Sequence, residues 1–105
     1  MLGTFFLHLS PLFKYKIIGN SMAPTLRAGE SILVNRLAYV LKKPFKGDIV
    51  AFYDPRDKKV LIKRVTKIEE NRYFVQGDNK NSSTDSRVFG MIGKQEIIGK
   101  VLYPI

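Results

Sequence analysis

The feature that most limits what this chain can become is its punctuation, because from about residue 15 onward short β-branched and aromatic runs alternate with clusters of turn residues. Residues 15–18, 31–35, 49–53, 59–68, 72–76 and 97–103 have the length and composition of strands. Lys46-Gly47-Asp48, Asp54-Pro55-Arg56-Asp57 and Glu70-Asn71 separate them, and the last two clusters predict hairpins. Residues 36–43 are helix-permissive but too short to assign. The expected fold is all-β, with twisted antiparallel sheets around a single core, and 105 residues leave no room for a second one. The chain divides into an apolar N-terminal segment, 1–14, and a folded domain, 15–105.

Two links do not read as strands or as ordinary short turns. Residues 19–30 join two apolar runs, and residues 77–90 form a longer and almost wholly polar stretch. Links of this length in a small domain are usually functional or disordered. The second holds enough Asn, Asp and Ser to bond its own backbone, which favours an ordered loop.

Composition then removes several chemistries. The sequence has no cysteine, so disulfides, thiolate metal sites and a cysteine nucleophile are excluded and the redox compartment stays open. Its one histidine, His8, sits in an apolar stretch and reads as a half-buried or interfacial residue, so neither a Ser/His/Asp triad nor an imidazole metal site is well supplied. No metal and no cofactor is expected. With 18 Lys and Arg against 9 Asp and Glu, the net charge of +9 calls for a partner of opposite sign, and nucleic acid and anionic lipid both qualify. The N-terminal run from Met1 to Phe13 is too short for a bilayer span and is interrupted by Pro11. It also lacks the preceding basic residue and the small-x-small site of a secretory signal. Two readings fit it equally: a segment in the membrane interface, backed by Lys14 and Lys16, or a turn or strand packed on the domain.

The remaining routes to a strong nucleophile are a carboxylate or a serine or threonine activated by a lysine. A lysine takes a proton only when neutral, and its ordinary pKa is about 10.4. Reaching about 7 to 8 needs roughly 3 to 5 kcal/mol of destabilisation of the ammonium, which apolar burial supplies. Lys63 has the surroundings for this. In Val60-Leu61-Ile62-Lys63-Arg64-Val65 it shares a strand face with Leu61 and Val65, while Arg64 points the other way. On the strand alone, an edge lysine that blocks aggregation or snorkels to water fits as well.

Four segments in order resemble the boxes of type I signal peptidases. Gly19-Asn20-Ser21-Met22-Ala23-Pro24-Thr25-Leu26 is similar to the nucleophile box, and Lys46-Gly47-Asp48-Ile49-Val50-Ala51-Phe52 to the Gly-Asp-Ile-Val strand opening. Ile62-Lys63-Arg64-Val65 resembles the base box, and Gly77-Asp78-Asn79 through Asp85-Ser86-Arg87 with Gly90 the last. The resemblance runs from residue 17 nearly to the C-terminus.

It implies a serine endopeptidase that removes N-terminal signal or leader peptides after small residues. Ser21 would be the nucleophile and Lys63 the general base, with Ser83 orienting the lysine amine as the third member of a triad does elsewhere. Met22 and Ile62 would line the substrate pocket. Gly77, Asp78, Asn79, Asp85, Arg87 and Gly90 would hold the loop, with Asp85 and Arg87 as a structural ion pair. The Ser21 backbone N–H would be one oxyanion donor; where some members place a second donor, on a serine, this chain has Gly19, so that donor is unassigned. The expected partners are precursor polypeptides with small-x-small cleavage sites, bound extended along a strand edge, together with peripheral contact to a membrane.

Compared with a typical member, no transmembrane helix precedes the boxes and no large second domain is inserted after the base box. The chain therefore resembles a minimal catalytic core, expected to be membrane-associated and peripheral, with a soluble cytoplasmic form and the side of the membrane left open. Three other readings stand beside it. One is a dedicated maturation protease for a single precursor, as in the compact proteases that trim nickel superoxide dismutase. Another is a self-cleaving repressor-type protease, for which too few residues precede Ser21 to hold a helix-turn-helix. The last is a basic β-domain binding nucleic acid through stacking on Phe45, Phe52, Tyr53, Tyr73 and Phe74, which leaves the four boxes unexplained.

Overall fold

A computed structural model describes residues 11–81 and 84–102. His8 with most of the apolar N-terminal segment, Ser83 and Tyr103 therefore lie outside the described residues. The chain builds β1 (Leu12–Lys16), β2 (Ser31–Asn35), β3 (Ile49–Tyr53), β4 (Val60–Glu69), β5 (Arg72–Gln76), one helical turn α1 (Ser86–Phe89), β6 (Ile92–Gly93), a 3₁₀ turn (Lys94–Glu96) and β7 (Ile97–Leu102). Among the described residues every strand pairing is antiparallel, and the seven strands make one sheet in the order β1-β2-β7-β3-β4-β5-β6. The all-β expectation holds. Both turn clusters close hairpins, β3 to β4 and β4 to β5.

Strand β3 explains why the sheet has this centre. Its first four residues, Ile49 to Phe52, are all buried, which an unbroken apolar run achieves only when both faces of the strand are covered. Because successive side chains point to opposite faces, Ile49 and Ala51 enter one apolar cluster with Met22, Leu26, Ile32, Val34, Ile62 and Val101. Val50 and Phe52 enter a second with Val65, Tyr73, Val75 and Ile92. Pairing is interrupted between Val65 and Lys67 on β4, a bulge of the kind that bends a strand. Gly99 on β7 allows the close approach of β2, since a Cβ there would lie 2.3 Å from the Asn35 carbonyl oxygen.

The elements differ from expectation most at β1 and in the polar stretch. β1 starts at Leu12, three residues early, and Ile17 and Ile18 follow it as loop. Residues 36–39, unassigned from the sequence, form turns. The polar stretch 77–90 ends in α1, capped by the Asp85 side chain, which accepts from the Arg87 N–H. Phe52 and Tyr73 are fully buried, so they are closed to base stacking.

Candidate active site

The site rests on an edge that the sheet leaves open. On one side β4 pairs with β3 along residues 60–64, but on the other β5 pairs with β4 only from Arg64 onward. Among the described residues, then, nothing pairs with Val60–Lys63 on that second side. β1 is the terminal strand at the far end of the sheet order, and the Tyr15 hydroxyl donates to the Val60 carbonyl at 3.3 Å. The terminal strand thus curls round to face the open stretch of β4. Between them lies a cavity of about 370 Å³ lined by Tyr15, Ile17, Ile18, Ser21, Met22 and residues 59–63. Of the residues singled out from sequence, Ser21, Met22, Ile62 and Lys63 all meet on this cavity.

Ser21 is half-buried at the start of the loop that follows β1. Inside that loop the Leu26 N–H donates to the Met22 carbonyl, and Met22 and Leu26 are buried in the first cluster, which anchors the turn from below. The polar loop 77–81 holds it from the side: the Asn79 N–H donates to the Ser21 carbonyl at 2.9 Å and the Asn79 amide to the Asn20 carbonyl at 3.1 Å. The Ser21 backbone is therefore bonded through its carbonyl to a second element.

A clamp that the sequence did not reveal fixes the same loop to β4. Asp78 accepts two hydrogen bonds from the Arg64 guanidinium, at 2.9 and 2.8 Å, and one from the Thr25 hydroxyl at 2.6 Å. The third arm of Arg64 donates to the Gly47 carbonyl at 2.8 Å. One guanidinium thereby joins the serine loop, the β3 opening and the polar loop. Those hydrogen bonds hold the Asp78 carboxyl below its usual range, the Arg64 contacts contributing most and Thr25 adding to them.

Lys63 is 3% exposed, and among the described residues it forms no ion pair. Burial pushes its amine below the ordinary lysine value, the nearby Asp85 carboxylate opposes the shift, and Arg87 adds to it. The balance follows from how Asp85 is occupied. Its buried carboxylate takes a fork from Arg87, at 2.9 and 2.8 Å, and accepts from the Arg87 and Gly77 N–H groups at 3.1 Å each. A carboxylate already matched by a guanidinium offers an ammonium little net field, so desolvation decides the charge. Gly90 closes this element with φ of 83°, and the Ser86 hydroxyl accepts from the Val75 N–H at 2.8 Å, tying α1 to β5. Among the described residues no cluster of three or more metal-ligating side chains occurs.

The sequence matches the model of the signal peptidase family, peptidase S26, over residues 1–66 and 65–105. It is 30% identical to signal peptidase I V of Bacillus subtilis (strain 168), with 83% of this chain and 82% of that protein aligned. It is 27% identical to the probable signal peptidase I-1 of Synechocystis sp., covering 83% and 67%. With the mitochondrial ATP-independent inner membrane protease subunit 1b of Arabidopsis thaliana it shares 33% identity, over 83% of this chain and 66% of that one. The chain belongs to the signal peptidase family and carries that family's all-β core as a hydrolase.

Proposed function

We propose that this protein is a serine endopeptidase that removes N-terminal signal peptides from precursor proteins, using Ser21 as nucleophile and Lys63 as general base. The observation that carries the reading is that one cavity collects Ser21 and a buried lysine whose amine is shifted toward the neutral form by desolvation. A neutral amine accepts the Ser21 proton as Oγ attacks the scissile carbonyl; the ammonium then gives that proton to the departing amine, and the amine next activates the water that releases the acyl group.

The substrate fits as a strand. Val60–Lys63 presents an open edge across the cavity from β1, so an extended peptide laid between them adds main-chain hydrogen bonds and turns alternate side chains into the cavity. By resemblance to the family, small residues are favoured at the first and third positions before the cut; Ile17, Met22, Leu61 and Ile62 line the cavity that would receive them. The developing oxyanion would meet the Ser21 N–H, which has no acceptor among the described residues; one such donor lowers the barrier by about 2.7 to 4 kcal/mol. Ser83 would aim the amine. Gly19 offers no side chain for a second donor.

The likeness to an inner membrane protease supports work at a membrane, with this domain attached peripherally. Among the described residues no helix is long and apolar enough to cross one. Cleavage of a precursor with a small-x-small site, mapped by mass spectrometry, tests the reading. Ser21→Ala and Lys63→Ala should each abolish the cut while the fold persists, and retained activity in either would refute the assignment. Lys63→Arg should fail as well, because a guanidinium stays protonated.

A further inference from the structure

We propose that the loop between β2 and β3 is a docking surface for an anionic lipid bilayer, separate from the peptide cavity. The loop is anchored from inside: Tyr39 is buried in the second cluster with its hydroxyl donating to Asp48 at 2.8 Å, and Pro44 is buried as well. That anchoring turns the other apolar side chains outward. Leu37 and Val40 are 60% exposed, Phe45 64% and Leu41 97%. Leu37, Ala38, Val40, Leu41 and Lys42 line a shallow groove that no described residue fills. A large apolar group held rigidly in water costs free energy that folding does not recover, so an outside partner must account for it.

Charge identifies that partner. Residues 36–47 contain Arg36, Lys42, Lys43 and Lys46, all exposed, and no Asp or Glu. A second copy of this chain would bring the same four cations against them in a molecule of net charge +9, so self-association through this face is opposed. An anionic lipid surface is attractive to the cations and accepts the apolar side chains beneath the headgroups. Chain geometry adds a second argument. The Arg36 N–H donates to the Pro11 carbonyl at 2.7 Å, and the Arg36 guanidinium lies 4.5 Å from the Phe13 ring centroid. Pro11 and Phe13 therefore pack beside this loop. None of the loop residues lines the peptide cavity.

Co-sedimentation of the full chain with vesicles tests this without reference to catalysis, so its outcome is independent of the Ser21 and Lys63 assignment. Vesicles of phosphatidylcholine with about one third phosphatidylglycerol should bind the protein tenfold or more tightly than phosphatidylcholine alone. The double variant Val40→Glu/Leu41→Glu should lose about tenfold or more of that binding, and Lys42→Glu/Lys43→Glu should lose it on anionic vesicles only. Both variants should keep the wild-type melting curve and the wild-type rate on a soluble peptide. Binding by Val40→Glu/Leu41→Glu equal to wild type would overturn the proposal and assign any vesicle binding to the N-terminal segment. So would absence of wild-type binding, or a wild-type dimer that this variant converts to monomer without change on vesicles.

Discussion

Asp78→Asn should loosen the whole site by removing one charge. In the wild type the carboxylate accepts two bonds from Arg64 and one from Thr25. The Arg64 side chain is 29% exposed and Asp78 18%, so the pair lies between a surface bridge of about 0 to 1 kcal/mol and a buried one whose disruption costs about 3 to 5. Asparagine keeps the shape and one acceptor, which retains part of the geometry, and the expected loss is about 2 kcal/mol. For a domain of this size that lowers the melting temperature by roughly 10 °C, readable by circular dichroism. The partner should report the same interaction: Arg64→Met combined with Asp78→Asn should destabilise by about 1 kcal/mol or more less than the sum of the single changes. The pH dependence has a defined sign. Because the Asp78 pKa is depressed in the folded protein, its stabilisation is complete above the unfolded value, 3.8, and is lost as pH falls through the folded value. The gap between wild type and Asp78→Asn should therefore close in acid. A shift below about 2 °C at neutral pH with strictly additive double-mutant energies would refute the clamp.

Two other outcomes follow from the same structure. Gly99→Ala should cost about 2 kcal/mol or more, measured by denaturant unfolding, because the added Cβ would collide with the Asn35 carbonyl and β2 cannot move without disturbing its pairing with β1. Lys63 has a folded pKa below its unfolded value of 10.5, so folding strains against the ammonium at low pH and the wild type gains stability as pH rises from the depressed value toward 10.5. Lys63→Met should be more stable than wild type near neutrality and should show no such rise when melting temperature is plotted against pH.

What the sequence made readable was short-range. Alternation along Val60–Val65 placed Lys63 with Leu61 and Val65, and the structure puts Leu61 and Val65 against the second cluster with Lys63 buried. Turn chemistry located both hairpins, and three strands were bounded as they fold. β1 was misplaced because Ile17 and Ile18 look like strand continuation, whereas the alternation that matters is Phe13 and Tyr15 inward with Lys14 and Lys16 outward. Strand β6 and α1 have two and four residues, too few for any periodicity to register. The Arg64 clamp was invisible for another reason: Asp78 is 14 residues from Arg64 and 53 from Thr25, and such pairings exist only once the sheet has formed. Ile17, Tyr15 and Leu61 were missed as cavity lining because the cavity is created by the curl of β1 toward β4.

The amine at position 63 can be titrated directly by NMR, using lysine labelled at Cε in the Ser21→Ala protein so that no turnover interferes. The account predicts a midpoint below the ordinary lysine range that coincides with the acid limb of kcat/KM measured on the wild type. A midpoint at or above 10.5, with cleavage still proceeding at neutral pH, would contradict it.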